Sequence, residues 1–446
     1  MGSNAITTII GEHLLIRNGK SSPSRAITGE YPVYGSNGII GYSDEYNANE
    51  NTIIIGRVGS YCGSVYISGK KCWVTDNAII GTAKNENESH FWFYLLKKID
   101  LNNYSTGSGQ PLINQTIINT ISVTIPKLSE KRVSIGHFLR HFDQKINLSL
   151  NINQSLEQMS QTLFKSWFVD FDPVIDNALD AGNPIPEALQ TRAKLRQKVR
   201  NSADFKPLPA EIRSLFPSEF EETELGWVPK GWDVVKTEDI AIKIGMGPFG
   251  SNIKASQFVS SGIPIINGQQ LKGLILEKNF INYITDEHAN ILKNSLVYEH
   301  DIVLTHRGTL GQVSLIPKRK GNEKFVISQS QFYLRVDRKK CSPFYMIHFL
   351  KSRIGQEALL SNASQVGVPS IARPSTHLKK ITFINPPLSL HKLFDNEFEV
   401  ILEKIMNCKE QSLALTALRD TLLPKLISGE LSLDDLPDLT TDTEAA

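Results

Sequence analysis

Residues 53–71 read IIIGRVGSYCGSVYISGKK, and residues 302–320 read IVLTHRGTLGQVSLIPKRK. The two stretches align without a gap at an offset of 249 residues, from 53 to 302. The alignment pairs residues of the same kind at several places: Ile53 with Ile302, Gly59 with Gly308, Ser60 with Thr309, Ile67 with Ile316, and Lys70-Lys71 with Arg319-Lys320. The chain therefore contains two copies of one unit, which predicts two equivalent binding surfaces on one polypeptide.

The similarity continues downstream with small shifts. Trp73-Val74 corresponds to Phe325-Val326, and Phe93-Tyr94 corresponds to Phe344-Tyr345. In both copies, short apolar runs alternate with Gly, Ser and Asn turns, which is typical of β-rich domains. The pattern predicts strands near 52–55, 65–67, 78–81, 121–125, 263–266, 301–305, 312–316 and 325–334, and helices near 90–99 and 343–360.

Each copy ends in a long amphipathic stretch, over residues 133–168 and 390–426. Apolar residues recur there mostly every three or four positions, as in a helix with a seam close to that of a coiled coil. The second helix is predicted to end at Pro424, or at Gly429 if it bends over the proline. Because such helices are marginal alone in water, we expect an antiparallel pair. The predicted fold class is α/β (α+β), with two similar β-rich domains related by a pseudo-two-fold axis.

Composition limits the possible functions. The chain has 446 residues, of which 40% are hydrophobic and 21% are charged, so it is long enough for two to four globular domains. The net charge of +2 does not indicate a nucleic-acid partner, so such a partner has to be inferred from local clusters. The four cysteines lack zinc-ligand spacing, which predicts free thiols in a reducing cytoplasm. The sequence contains no apolar run of about 18 residues, so no membrane segment is predicted.

A connector at 171–226 separates the two copies and is rich in proline. Residues 187–201 within it predict a short basic helix that carries Arg192, Lys194, Arg196, Lys198 and Arg200. A run of charge on one helix most often forms a solvated face, and we expect that role here.

Two motifs resemble catalytic signatures without fulfilling them. Gly245–Gly250 matches G-x-G-x-x-G, but Pro248 lies inside the turn and no convincing helix follows, so dinucleotide binding is not expected. The sequence Asn385-Pro386-Pro387-Leu388 resembles the Asn-Pro-Pro-aromatic signature of adenine methyltransferases. Leu388 lacks the aromatic face that would stack on a flipped base. We expect this motif to turn a strand end into the second long helix.

Polar and basic residues in glycine-rich loops are the remaining candidates for function. Arginine reads guanine, glutamine and asparagine read adenine, and lysine neutralises phosphate, so such loops on a β scaffold suit DNA grooves. The candidates in the first copy are Arg57, Ser60, Tyr61, Lys70, Lys71, Ser105, Thr106, Ser108 and Gln110. Those in the second copy are His306, Arg307, Thr309, Lys318, Arg319, Lys320, Lys324 and Gln365.

Three phrases carry a resemblance to a known family. They are LFKSWFVDFDP at 163–173, ELGWVPKGW at 224–232 and LLPKLISGEL at 422–431. Together with the duplicated plan, they make essentially the whole chain resemble the specificity subunit of type I restriction–modification enzymes.

The resemblance implies a division of the chain and a set of partners. It implies target recognition domains at 1–132 and 227–387, conserved spacer helices at 133–170 and 388–430, the connector at 171–226 and an acidic tail at 431–446. Each recognition domain would read one half of a split, asymmetric DNA sequence, and the helices would fix the distance between the halves. The helices would also dock two methyltransferase subunits, and two motor–nuclease subunits would join for restriction. The chain itself would perform no chemistry and need no cofactor.

Two other functions remain open from the residues alone. The chain could be a complete adenine methyltransferase with its own recognition domain, although Leu388 and the missing donor-binding loop oppose this. It could also be a coiled-coil adaptor whose β-rich domains bind proteins.

Overall fold

The computed structural model describes residues 5–107, 109–249, 252–318, 323–364 and 366–436. The chain divides into two compact units, of which the first comprises Met1–Ile152 and Asn407–Ala446 and the second comprises Asn153–Met406. Among the described residues, no helix combines the length and the apolarity that a bilayer-spanning segment requires.

The first unit is built from short strands and the beginning of a long helix. Its strands are β1 (Ala5–Ile9), β2 (Leu14–Asn18), β3 (Tyr31–Gly35), β4 (Gly38–Ser43), β5 (Thr52–Gly56), β6 (Val65–Ser68), β7 (Trp73–Val74), β8 (Ala78–Ala83) and β9 (Ser122–Pro126). Its helices are α1 (Ser89–Ile99), α2 (Gln115–Thr120), the first part of α3 (Ser129–Phe168) and the last part of α11 (Leu388–Ser428). The central sheet has the antiparallel order β2-β8-β5-β6, and β5 is buried along its whole length because Ile53 and Ile55 pack into one core cluster and Ile54 into another.

The second unit contains the remaining elements. The connector forms α4 (Asp172–Ala181), α5 (Gln190–Arg200) and α6 (Ala210–Arg213). The strands are β10 (Phe220–Thr223), β11 (Gly226–Pro229), β12 (Asp233–Lys236), β13 (Ala241–Met246), β14 (Ile263–Ile266), β15 (Tyr283–Ile284), β16 (Leu296–Val297), β17 (Ile302–Thr305), β18 (Val313–Leu315), β19 (Phe325–Ile327), β20 (Gln331–Val336), β21 (Ala363–Ser364), β22 (Ser370–Ile371) and β23 (Thr382–Asn385). The helices that accompany them are α7 (Asp286–Ile291), α8 (Pro343–Lys351), α9 (Arg353–Leu360), α10 (Pro374–Lys380), the last part of α3 and the first part of α11.

The internal repeat is confirmed by strand topology. The central sheet of the second unit has the order β13-β20-β17-β18, which repeats β2-β8-β5-β6 element by element. A parallel pair of strands also recurs, since Tyr34 pairs with Val74 and Ile265 pairs with Val326. Each copy therefore supports its loops on the same arrangement of strands.

The gapless alignment of the two copies is wrong beyond the hairpin turn. Ile53 pairs with Ile67 in the first hairpin, whereas Ile302 pairs with Leu315 in the second. The structural equivalent of Ile67 is therefore Leu315 and not Ile316. The second turn is one residue shorter, and a shift by one residue moves a side chain to the other face of its strand.

Two further elements differ from prediction. The strand expected near 325–334 is two strands, β19 and β20, which lie in different sheets because the chain turns at Ser328, whose carbonyl accepts from the Gln331 N–H at 3.1 Å. The helix expected near 343–360 is divided at Ser352, whose Oγ accepts from the Gly355 N–H at 3.2 Å. A Cβ on Gly355 would lie 1.9 Å from the Phe349 carbonyl oxygen, so the close turn between α8 and α9 requires glycine.

The long helices are continuous over their described residues. The asparagine-rich stretch at 147–153 does not interrupt α3, and α11 runs through Pro424 to Ser428. Within the first unit they are antiparallel, because Ile135 lines the same cleft as Leu426, while Asp143 further along α3 pairs with Arg419.

In each unit, a side chain joins one long helix to the helix that follows the last strand of the central sheet. In the first unit, the Arg132 guanidinium on α3 donates to both carboxylate oxygens of Glu88, at 2.8 and 2.9 Å, next to α1. In the second unit, Ser342 caps α8 and donates to the Asp395 carboxylate on α11. The core of the second unit extends onto α3, where Phe164 lies 5.9 Å from the Phe394 ring on α11.

The expected solvated face of the basic connector helix is only half present. Arg192, Arg196 and Arg200 form ion pairs with aspartates on α4: Asp172, Asp176 and Asp180 respectively. The residues of both helices follow the same four-residue spacing, so one stripe of α5 meets one stripe of α4. Lys194 and Lys198 on the other face are exposed. The arginines of this helix therefore stabilise the connector and are not free to bind a partner.

Candidate nucleic-acid interface

The turn between β5 and β6 presents the first group of candidate residues. Arg57, Ser60 and Tyr61 lie in this turn, where Gly59 adopts a left-handed φ of +75°. The Arg57 N–H donates to the Asn77 carbonyl at 3.0 Å, which fixes the start of the turn. Ser60 and Tyr61 are exposed at its tip.

A second loop of the first unit, at 105–112, packs against this turn. The Gly59 N–H donates to the Pro111 carbonyl at 3.1 Å, and the Ile113 N–H donates to the Arg57 carbonyl at 3.0 Å. Thr106 and Leu112 exchange two main-chain hydrogen bonds, which close the loop. The two loops therefore bring Arg57, Ser60, Tyr61, Ser105, Thr106 and Gln110 to one end of the central sheet.

The second unit repeats this pair of loops. The Gly308 N–H donates to the Pro369 carbonyl at 2.9 Å, and the Ile371 N–H donates to the His306 carbonyl at 2.9 Å. His306 is therefore the equivalent of Arg57, and Arg307 is the equivalent of Val58. We call the two loops of each unit, 57–63 with 105–112 and 306–311 with 363–371, its loop pair.

The second loop of each pair also has a sequence signal, which the alignment at an offset of 249 does not reveal. Gly109-Gln110-Pro111-Leu112-Ile113 and Gly367-Val368-Pro369-Ser370-Ile371 share the pattern Gly-x-Pro-x-Ile. Proline and isoleucine supply the main-chain groups that bind the turn in both units. The two patterns are 258 residues apart, from 109 to 367, so residues of both loops were named as candidates from the sequence but the loops were not aligned with each other.

The electrostatics of the loop pairs differ between the units. Arg57 is half-buried; its Nη1 donates to the Asp76 carbonyl at 3.4 Å, and its buried Nε has no hydrogen-bond partner among the described residues. Burial lowers the pKa of His306, so its imidazole is neutral near pH 7, and its Nε2 lies 3.1 Å from the Gln329 carbonyl. Arg307 and Thr309 are exposed. Arg307 is thus the freer cation of the two candidates for base contact.

A polar cleft adjoins the loop pair of the second unit. Its walls supply amide, hydroxyl and cationic groups from Asn267, Gln269, Lys272, Arg307, Thr309, Gln312, Ser328 and Ser330. The side-chain amide of Gln312 is fixed by donating to the Gly268 carbonyl at 2.9 Å. Such a surface can exchange hydrogen bonds with base edges or phosphates.

The lysine candidates do not lie with the loop pairs. Lys70 and Lys71 follow β6 at the opposite end of the hairpin, about 13 Å from the turn at 3.3 Å per residue. The Lys70 ammonium donates to the Glu30 carbonyl at 3.1 Å, and Lys71 lies 4.4 Å from the centre of the Tyr46 ring. In the second unit, Lys318 likewise lies beyond the far end of β18.

Of the remaining candidates, the structure describes only Lys324. Lys324 precedes β19 and forms an ion pair with Asp286 at 2.6 Å. Ser108, Arg319, Lys320 and Gln365 lie outside the described residues.

The motif that resembled a methyltransferase signature has a structural role. Asn385 ends β23, and the two prolines lead directly into α11, as expected. The Asn385 side chain donates to the Lys340 carbonyl at 3.3 Å and bonds to His391 Nε2 at 2.9 Å. Its polar atoms are therefore occupied within the fold.

Comparisons with known proteins agree with this geometry. Residues 10–158 match the family model of the type I restriction modification DNA specificity domain, a stretch that contains the first loop pair. The chain is 27% identical over 338 residues to the type I restriction enzyme HindI specificity subunit of Haemophilus influenzae, which covers 72% of this chain and 71% of that protein. It is 25% identical over 360 residues to the MjaIX specificity subunit of Methanocaldococcus jannaschii, which covers 78% and 70% respectively.

A solved structure supports the fold. The crystal structure of the type I restriction–modification system S subunit from M. genitalium has a TM-score of 0.54 with this chain and is 14% identical, covering 95% of this chain and 96% of that one. The resemblance to type I specificity subunits is therefore confirmed. Both curated relatives are named specificity subunits, in agreement with the expectation that this chain recognises DNA and performs no chemistry itself.

Proposed function

We propose that this chain is the DNA-recognition subunit of a type I restriction–modification complex and that it reads a two-part target with one loop pair for each half. The observation that carries the proposal is the recurrence of the loop pair. In both units the same two main-chain hydrogen bonds hold a hairpin turn against a Gly-x-Pro-x-Ile loop, while the side chains at the tips differ. Equivalent scaffolds with different side chains suit the reading of two different sequences.

The candidate residues divide into two roles in this proposal. Arg57, Gln110, Arg307 and Thr309 belong to the loop pairs and would contact base edges. Lys70, Lys71 and Lys318 lie at the other end of their hairpins and would contact phosphates on the flanks. Lys324 would join this second group by leaving its exposed partner Asp286, because an exposed ion pair is weak.

The long helices are the proposed docking surface for methyltransferase subunits. Apolar side chains that face neither core are exposed along them: Leu148, Leu150, Met159, Leu413 and Leu418. Three of them lie on α3 and two on α11, and contiguous exposed apolar surface commonly marks a protein partner. Motor–nuclease subunits would join the same complex, which we expect to be cytoplasmic.

The test is a domain exchange read out on the genome. The chain is co-expressed with its methyltransferase partner, and N6-methyladenine is mapped with and without this gene. Residues 9–130 are then replaced by the same segment of a relative with a different target. We expect one half of the methylated sequence to change and the other half to stay, since each unit carries its own loop pair.

Each outcome decides between functions. If no methylated sequence depends on the gene, the chain is not a specificity subunit. If both halves change together, the units do not read independently. If the purified chain alone binds S-adenosylmethionine, the complete methyltransferase is the better explanation, and failure to bind DNA at any salt concentration with partners present favours the adaptor.

A further inference from the structure

The loop pairs present one side chain at the same place in both units. The hydrogen bonds from Gly59 to Pro111 and from Gly308 to Pro369 make these two prolines equivalent. The residue before each proline is then also equivalent, and it is Gln110 in the first unit and Val368 in the second. The same backbone therefore carries an amide in one copy and an isopropyl group in the other.

Both side chains are accessible. Gln110 is exposed, and its amide nitrogen lies 3.9 Å from the position that a Cβ on Gly59 would take, so the amide stands over the turn. Val368 is 54% exposed, although an isolated valine in solvent brings no gain to the fold. Neither side chain contributes to a core cluster of its unit.

The two groups suit different bases. A glutamine amide can bond to the N6 and N7 atoms of adenine in the major groove. A valine cannot form hydrogen bonds, but it can pack on the 5-methyl group of thymine, which is the apolar feature of that groove.

We propose that this position determines specificity in both half-sites: Gln110 selects adenine in one half, and Val368 selects thymine through its methyl group in the other. The inference rests on the proposed function, because it assigns bases to loop pairs that bind DNA. The fold of each loop does not depend on the side chain, since main-chain groups hold the loop.

Base analogues test the two contacts separately. The target duplex is taken from the methylation map, and binding is measured for the chain assembled with its methyltransferase partners. Each thymine in turn is replaced by deoxyuridine, which removes only the methyl group. At one position of the second half-site, we expect about a fourfold loss of affinity for the wild type and none for Val368→Ala.

For the first half-site, each adenine is replaced by 7-deazaadenine, which removes the N7 acceptor. At one position we expect a loss of about 2- to 12-fold for the wild type and no loss for Gln110→Ala. Gln110→Val should weaken binding to the natural site by about 5- to 150-fold and leave the second half-site unchanged. Ile242→Ala is the control, because Ile242 is an exposed aliphatic residue at the end of the second sheet away from its turn.

The results separate the inference from the proposed function. If the wild-type complex binds its target but discriminates thymine from deoxyuridine equally well with Val368→Ala, Val368 does not contact a methyl group. If Gln110→Ala keeps the full 7-deazaadenine effect, the first contact is refuted in the same way. If the wild-type complex shows no sequence-specific binding at all, the proposed function fails, and the inference fails with it.

Discussion

The ion pair between Arg132 and Glu88 holds α3 against the start of α1 in the first unit, and its loss should lower the free energy of unfolding. The two side chains are only 8% and 3% exposed. Arg132 also donates to the carbonyls of Pro126 and Lys127, at 2.7 and 3.0 Å. Arg132→Met removes all of these bonds and leaves a buried carboxylate with three remaining donors, Asn85, Trp92 and Ser129. Removing one partner of a buried pair costs about 3–5 kcal/mol, and we expect that loss in the free energy of unfolding.

The loss of unfolding free energy in Arg132→Met should depend on pH. Burial pushes the pKa of Glu88 upward, but hydrogen bonds from Arg132, Ser129 and Trp92 outweigh it and hold this pKa below its usual value. Its charged form therefore stabilises the wild type above the unfolded pKa, and this contribution is lost as the pH falls through the folded pKa. In Arg132→Met, burial should prevail and raise the pKa. The difference between wild type and variant should therefore widen as the pH rises from about 4 to 7.

Amide hydrogen exchange of α1 and of α3 up to Ile152 measures the stability of this unit separately from that of the other. Arg353→Met is the control, because the Arg353–Glu357 pair on α9 is exposed and should contribute less than about 0.5 kcal/mol. The double variant Glu88→Gln/Arg132→Met should recover part of the loss by removing the unpaired charge. A loss below about 1 kcal/mol at pH 7 for Arg132→Met would refute the anchoring role.

Four other perturbations follow from the described contacts. Arg307→Ala should cost about 1–3 kcal/mol at one base pair of the second half-site, measured by competition binding, whereas equal weakening on all sequences would indicate a phosphate contact. Replacing Lys70 and Lys71 by Ala should reduce the slope of log K against log salt by about one unit per lost phosphate contact, and an unchanged slope would show that this end of the hairpin faces away from DNA. Burial lowers the pKa of His348 and His391 to about 4, so the second unit should be most stable above pH 6.5 and should lose stability as the pH falls toward 4. Burial also raises the pKa of Asp395 to about 6. Asp395→Asn should therefore raise the melting temperature above pH 6 and have little effect near pH 4. Insertion of four residues near Asn151 advances α3 by about 6 Å and nearly preserves its apolar stripe, so the preferred gap between half-sites should grow by one or two base pairs in a methylation map, and an active variant with the original gap would mean that the helix does not set it.

The predictions from sequence succeeded where side-chain periodicity controls structure. The buried runs at β5 and β17 and the apolar seams of α3 and α11 were each predicted, because burial on a strand or along a helix imposes a spacing of apolar residues that the sequence shows directly. They failed where one residue changes the path of the chain. Ser352 and Gly355 divide a continuous apolar pattern into α8 and α9, and the turn at Ser328 sends β19 and β20 into different sheets.

The candidate site was predicted by residue type but not by grouping. The hairpin turns were found because they repeat at one offset, whereas the Gly-x-Pro-x-Ile loops repeat at another and join the turns through main-chain atoms, which no side-chain pattern reveals. The separation of Lys70 and Lys71 from the turn follows from hairpin geometry, since residues on either side of β6 lie at opposite ends of the sheet. The pairing of Arg196 with Asp176 required the packing of α5 on α4.

The way the loops are fixed has a consequence for how such a protein evolves. The turn and its partner loop are joined through peptide groups, so the identity of Gln110 or Val368 hardly enters the free energy of folding. Surface substitutions at such positions usually change stability by no more than about 0.5 kcal/mol. Mutations at these positions therefore hardly change the stability of the fold, and their main effect is on the DNA sequence that is recognised. Point mutations that leave the scaffold intact could therefore give a lineage a new target.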